Sequence, residues 1–204
     1  MRGVFVTGTD TGIGKTMVAA WLVRSWRADY WKPVQSGIAE GLDADVVRRV
    51  APETAIHPSA FMLNEPLSPD QAARLDGVAI SLDDFHLPET SNSLVVEGAG
   101  GAMVPLNDRH MMIDLMARLG LPVVLVARSG LGTINHTLLT LEAMRHRGLA
   151  VAGVIMSGPP NDANRQAIEH FSGIGVVAQL PLLSGADGLP GHPPLTWRPW
   201  EIQP

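Results

Sequence analysis

Apolar residues in this chain come mostly in short unbroken runs, and most runs are followed by a stretch with helical spacing. The runs Gly3–Thr7, Tyr30–Pro33, Ser93–Glu97, Pro122–Ala127, Val151–Ser157 and Gly175–Gln179 are rich in Val and Ile and mostly do not alternate with polar residues. Strands covered on both faces read this way, because neither side-chain direction meets water. The spacing predicts helices over Lys15–Arg27, Asp43–Val50, Met111–Leu119, Thr133–Arg147 and Asp162–Ser172. Strand and helix in turn imply an α/β fold, with a mostly parallel central sheet, right-handed crossovers and flanking helices in three layers. Ligands of such sheets sit at the carboxyl ends of the strands. Function is therefore expected in the loops after Thr7, Pro33, Glu97, Ala127 and Ser157.

Two stretches are less legible. Residues 52–92 hold Pro52, Pro58, Pro66, Pro69 and Pro88 between short apolar patches, with helices expected near Asp70–Leu75 and Leu82–Phe85. From Pro181 the chain is again proline-rich and aperiodic, so an irregular tail is expected over 183–204. The chain, 1–204, reads as a single domain, with no internal repeat.

The first loop gives the sharpest signal. The strand ends in Gly8-Thr9-Asp10-Thr11-Gly12-Ile13-Gly14-Lys15-Thr16, and a helix follows. Glycines let backbone N–H groups converge on phosphate oxygens without Cβ clashes, and the helix N-terminus adds partial positive charge. Lys15 suits the β- and γ-phosphates, and the Thr16 hydroxyl suits Mg²⁺. The position six before the lysine is Thr9 rather than glycine, so this phosphate loop is one residue longer than the usual motif.

Composition removes several alternatives. The chain has 204 residues, 46% hydrophobic and 17% charged, with a net charge of −5 and a pI near 5.7. That suits a globular domain with a substantial core. No basic run marks a nucleic-acid surface. There are no cysteines, which excludes disulfides, thiol catalysis and cysteine metal sites. The strongest apolar run, Leu119–Ala127, is far short of the roughly 18 residues a membrane span needs. With no signal-peptide pattern, a cytoplasmic protein without membrane or nucleic-acid partners is expected.

Three further loops carry candidate chemistry. Lys32 lies at an apolar strand end in Trp31-Lys32-Pro33-Val34-Gln35-Ser36-Gly37, where a lysine is costly unless it meets an anion. Glu97 ends a strand expected near the phosphate loop, where P-loop enzymes hold Mg²⁺. Gly98, Ala99, Gly100 and Gly101 after it allow close backbone approach. In Leu131-Gly132-Thr133-Ile134-Asn135-His136, Thr133 is a candidate N-cap. Asp43 and Asp45 flank a helix start; either could serve the helix dipole or join a magnesium site.

Together, in this order, these segments and Leu106-Asn107-Asp108 resemble the dethiobiotin synthetase family over roughly residues 3–183. The resemblance implies an ATP- and Mg²⁺-dependent cyclo-ligase. Family members join CO₂ to 7,8-diaminononanoate, phosphorylate the carbamate with ATP and close a cyclic urea, as homodimers. It implies nucleotide contacts from Gly8, Thr9, Asp10, Thr11, Gly12, Ile13, Gly14, Lys15, Thr16, Glu97, Gly98, Ala99, Gly100, Ser157, Pro181 and Leu183. It implies Thr16, Asp45 and Glu97 as Mg²⁺ ligands. It also implies Lys15, Lys32, Thr11 and Ser36 around the reacting groups, and Ser36, Gly132, Thr133 and Asn135 against substrate. Two departures stand out: Gly12 where relatives often carry an acid, and Ser157 where they commonly have an adenine-reading Asn. The alternative is a P-loop switch ATPase of the partitioning or division-site type. Such proteins usually carry a second lysine early in the loop, where this chain has Thr9-Asp10-Thr11.

Overall fold

The computed structural model describes residues 2–181, 188–189 and 194–201. In chain order the strands are β1 (Gly3–Gly8), β2 (Asp29–Trp31), β3 (Val34–Ser36), β4 (Ile56–His57), β5 (Phe61–Leu63), β6 (Leu94–Gly101), β7 (Val123–Arg128), β8 (Val151–Ser157) and β9 (Val176–Leu180). The helices are α1 (Lys15–Trp26), α2 (Asp43–Val50), α3 (Pro69–Leu75), α4 (Met112–Leu119), α5 (Thr133–His146) and α6 (Asp162–Ser172).

Seven strands form one sheet in the order β4-β2-β6-β1-β7-β8-β9, and every neighbouring pair is parallel. The sheet separates two apolar cores because successive strand residues point to opposite faces. On β1, Val4 and Val6 join α1 and α2 through Val18, Leu22 and Val47. Phe5 points the other way, into the core formed with α3, α4, α5 and α6 by Ala72, Met112, Leu115, Met144 and Ile168. Both faces are thus covered, which explains the unbroken apolar runs.

The strands β3, β4 and β5 are additions to the sequence reading. β4 is two residues long and β3 and β5 three each, too short for a periodicity to register. β3 and β5 form a separate parallel pair that carries the segment after Lys32 beside the main sheet. The aperiodic tail includes a docked part. Trp26 of α1 lies 4.9 Å edge-on from Trp200 and 6.2 Å from Trp197, and its Nε1 donates to the Trp197 carbonyl at 2.9 Å. Aromatic burial there replaces a regular element.

The run after Glu97 has a packing role that the sequence does not reveal. Gly98 lies within β6 against the Phe5 ring, and a Cβ built on it would sit 2.8 Å from Phe5 Cε1 and 3.3 Å from Met112 Sδ. Gly98→Ala is therefore expected to destabilise the protein by about 1–3 kcal/mol through overpacking. Urea unfolding measures this, and an unchanged midpoint would contradict the packing assignment.

Candidate active site

The phosphate-binding loop follows directly from β1. Gly12 (φ 71°) and Gly14 (φ 94°) hold left-handed backbone that other residues resist. A Cβ on Gly12 would meet open space, so its requirement is conformational. Gly14 starts α1, with Lys15 as the first helical residue. Lys15 is buried, and its Nζ donates to the Asp10 carbonyl at 2.9 Å, folding back over its own loop. It makes no ion pair among the described residues. Burial weighs most against its charge, and Lys32 adds to that. Its pKa is lowered from the ordinary lysine value although Glu97 and Asp43 oppose the shift.

Strand order brings the other charges beneath this loop. β6 lies between β1 and β2, with Glu97 level with Val6, and Val96 level with Trp31. Lys32, one residue past Trp31, thereby reaches Glu97 Oε1 at 3.2 Å. It also pairs with Asp43. Glu97 has no solvent exposure, and its second oxygen accepts the Tyr30 hydroxyl at 2.8 Å. Burial alone would lower the Lys32 pKa, but the Glu97 and Asp43 carboxylates outweigh it and raise the value, so Lys32 stays an ammonium. Burial and the neighbouring Glu97 push Tyr30 well above its ordinary value, fixing it as a neutral donor.

Thr16 completes the cluster. Its Oγ1 lies 2.9 Å from Asp43 Oδ1 and 2.8 Å from Glu97 Oε1. A hydroxyl has one proton and can donate to one carboxylate at a time. Three hard oxygens converging this closely fit a Mg²⁺ ion that keeps several waters and takes further oxygens from phosphates. Among the described residues no group of three or more His, Cys, Asp or Glu could hold a metal ion on its own.

Asp45, expected beside Thr16 and Glu97, points elsewhere. It is exposed and pairs with Arg48 at 2.7 Å. The reason is helical geometry: residues two apart on α2 face opposite directions. Asp43 takes the inward position. Its backbone N–H donates to Gln35 Oε1 at 3.2 Å, because the N-cap residue Leu42 has no side-chain acceptor to offer. Tyr30 and Gln35 are thus two supporting residues that sequence reading missed. Their signal was adjacency to Lys32 alone.

The remaining expected residues divide. Ser157 packs against Gly14, where a Cβ would sit 2.6 Å from Ser157 Oγ. Ser157 and Pro181 line a cavity of about 410 Å³ with Gly12, Ile13, Gly14 and Arg128, contiguous with the phosphate loop. Leu183 lies outside the described residues; Leu180 stands on that wall instead. Thr11 is exposed, its N–H donating to Asp10 Oδ1 at 2.7 Å. Thr9 and Ser36 each hold a buried hydroxyl oxygen without a partner. Gly98 and Ala99, expected at the nucleotide, face the core with Phe5. Gly101 is the member of that run nearest the loop, its Cβ position 3.3 Å from the Gly8 carbonyl. Thr133 is not the N-cap of α5. Gly132 (φ 89°) takes that place, and Thr133 is buried inside the first turn, 3.4 Å from the Thr137 hydroxyl. Asn135 and Gly132 are exposed.

The chain's relatives agree with one another. A family model described as an AAA domain matches residues 2–188. The ATP-dependent dethiobiotin synthetase of Paramagnetospirillum magneticum is 58% identical, over 97% of this chain and 97% of its own. That of Brucella ovis is 50% identical over 88% of this chain and 86% of its own. A biotin biosynthesis bifunctional protein of Bordetella avium is 60% identical over 91% of this chain, which spans 41% of that longer protein. Among solved structures, a ParA family ATPase from Chlorobium tepidum has a TM-score of 0.50 at 14% identity, covering 90% of this chain and 85% of that one. The MinC:MinD cell division complex of Aquifex aeolicus gives 0.58 at 9% identity, covering 94% and 86%. These two likenesses establish the fold alone, a three-layer P-loop NTPase architecture.

The two aspartates of α2 separate cleanly by mutation. Asp43→Asn is expected to weaken Mg²⁺-dependent ATP binding by about 10- to 100-fold. Asp45→Asn should change it by less than about twofold, since an exposed pair contributes little. Calorimetric titration with and without Mg²⁺ measures both, and a larger effect at Asp45 would overturn the assignment.

Proposed function

The chain belongs to the family of ATP-dependent dethiobiotin synthetases, and we propose that it joins CO₂ to 7,8-diaminononanoate and closes the product to the cyclic urea dethiobiotin. The observation that carries this reading is the cluster of Thr16, Lys32, Asp43 and Glu97 beneath the phosphate loop, with Lys32 and Glu97 buried. A buried ammonium beside two carboxylates is costly as a structural device but suited to a reaction whose anions gather in one place.

Bound MgATP supplies the phosphoryl group that activates the carbamate. The chain's own residues bind and neutralise. Lys15 and the loop N–H groups from Gly8 to Gly14 hold the phosphates, with Ser157 and Pro181 on the base side. Thr16, Asp43 and Glu97 hold Mg²⁺, Asp43 replacing Asp45 in that role. Lys32 changes partners, its ammonium moving from Asp43 and Glu97 to the carbamate and the transferring phosphoryl group. Thr11 and the free hydroxyl of Ser36 contact the carbamate or diamine. The substrate's amines are the nucleophiles, which agrees with a chain that has no cysteine. The start of α5, with Gly132, Thr133 and Asn135, offers backbone N–H groups to the substrate carboxylate. It does so across a homodimer interface in a cytoplasmic enzyme. Among the described residues no helix is long and apolar enough to cross a membrane. The switch-ATPase alternative lacks its usual second lysine in residues 8–14.

Phosphate release from MgATP and bicarbonate, with and without the diamine, tests the reaction class while mass spectrometry follows the urea. Diamine-dependent release with the matching urea is expected; release that ignores the diamine, or none, would sink the reading. Lys32→Ala should lower turnover by about 100- to 1,000-fold while ATP affinity changes only a few-fold, because the charge it meets develops during reaction. Equal collapse of ATP binding would refute that role.

A further inference from the structure

Arg128 ends β7, next to the phosphate-loop strand, and is outside the cluster that carries the chemistry. Its Nη2 donates to Asp10 Oδ2 at 2.6 Å, spanning from β7 to the middle of the loop. Asp10 is the point where the loop's tethers meet. Its other carboxylate oxygen accepts the Thr11 N–H at 2.7 Å, and its carbonyl accepts Lys15 Nζ at 2.9 Å. The Arg128 Nε is buried without a partner, and the side chain stands on the wall of the cavity shared with Ser157 and Pro181. Gly12 and Gly14 hold left-handed backbone in the same loop, and the Thr9 N–H before them donates to the Val126 carbonyl of β7 at 3.0 Å.

We propose that Arg128 is a positioning residue for the nucleotide site. Through Asp10 it holds the phosphate loop, and the lysine folded over it, in the arrangement that receives a nucleoside triphosphate. This rests on the reading of the loop as an ATP site. Order imposed before binding lowers the entropy lost on binding, so the clasp acts on affinity rather than on the chemical step. The pair is half-exposed, with side-chain exposures of 39% and 51%. Its effect is therefore modest, a few-fold.

The charges give the proposal a distinctive sign. Asp10 is an anion beside a site for a polyanion. If it acted through charge alone, Asp10→Asn would tighten nucleotide binding; as half of a clasp, its loss loosens binding. The amide of Asn still accepts the Thr11 N–H, so the change is confined to the pair.

A double-mutant cycle on Mg²⁺-dependent binding of a non-hydrolysable ATP analogue, by calorimetry, tests this. Arg128→Gln and Asp10→Asn are each expected to weaken binding roughly fivefold. The double variant should be no weaker than either single one. Arg128→Lys should recover part of the loss, and in steady state the effect should fall on KM for MgATP more than on kcat. Tighter binding by Asp10→Asn, additive losses, or a loss confined to Arg128→Gln would overturn the clasp. The last would show Arg128 meeting the nucleotide directly. Wild-type protein that binds no analogue would refute the ATP site itself, a failure visible before any variant is made.

Discussion

A carboxylate with no solvent exposure must find donors, and in this protein that requirement ties the central strands together. Glu97 meets it with Thr16 from α1, Tyr30 from β2 and Lys32 from just beyond β2. Lys32 in turn needs a second anion, which α2 delivers as Asp43. Removing either partner of such a pair strands the other in a poor solvent, at about 3–5 kcal/mol. The phosphate loop, the β2–β3 segment and α2 are thus fixed relative to one another by charge as well as by packing. An apolar replacement of similar volume would hold the fold as well or better. What the charges add is a set of groups already desolvated and aimed at one place, which electrostatic catalysis requires.

The fold alone does not choose the chemistry. A ParA family ATPase and a MinC:MinD cell division complex share the fold at identities of 14% and 9%. A common scaffold leaves the chemistry to the side chains it carries. In this chain the segment after β2, the first turn of α2 and the interior of β6 contribute Lys32, Asp43 and Glu97, and their spacing along the sequence hides how near they are: Lys32 and Glu97 are joined only because β2 and β6 are neighbours in the sheet. The cavity beside the phosphate loop is lined by Ser157, at the end of β8, and by Pro181.

Legibility in the sequence followed the length and monotony of each element. Strands such as Val151–Ser157 and helices such as Asp162–Ser172 have the bounds their patterns suggest, because long buried runs and amphipathic spacing are local properties. β4 and β5 are not legible, since two or three residues carry no period and their pairing is set by tertiary contacts. At the site, Lys15, Thr16, Lys32 and Glu97 could be singled out by residue type and position. The choice between Asp43 and Asp45 could not, as it depends on the rotation of α2, which Gln35 helps to set. Nor could the core-facing role of Gly98 and Ala99, since a glycine run reads alike whether it faces a ligand or a phenyl ring. Arg128 gave no local signal because its partner is far away in sequence, across two strands that only the fold makes adjacent.

In the proposed mechanism Thr16, Asp43 and Glu97 form the metal-binding face of the cluster, and Lys32 is the charge released to the substrate. A crystal structure with Mn²⁺ and a non-hydrolysable ATP analogue tests it most directly, using the anomalous signal to locate the ion. The ion is expected to be bounded by the Thr16 hydroxyl and the Asp43 and Glu97 carboxylates, with the Lys32 ammonium turned toward the terminal phosphate. An ion placed on Asp45, or Lys32 still held between Asp43 and Glu97 with the nucleotide bound, would contradict it.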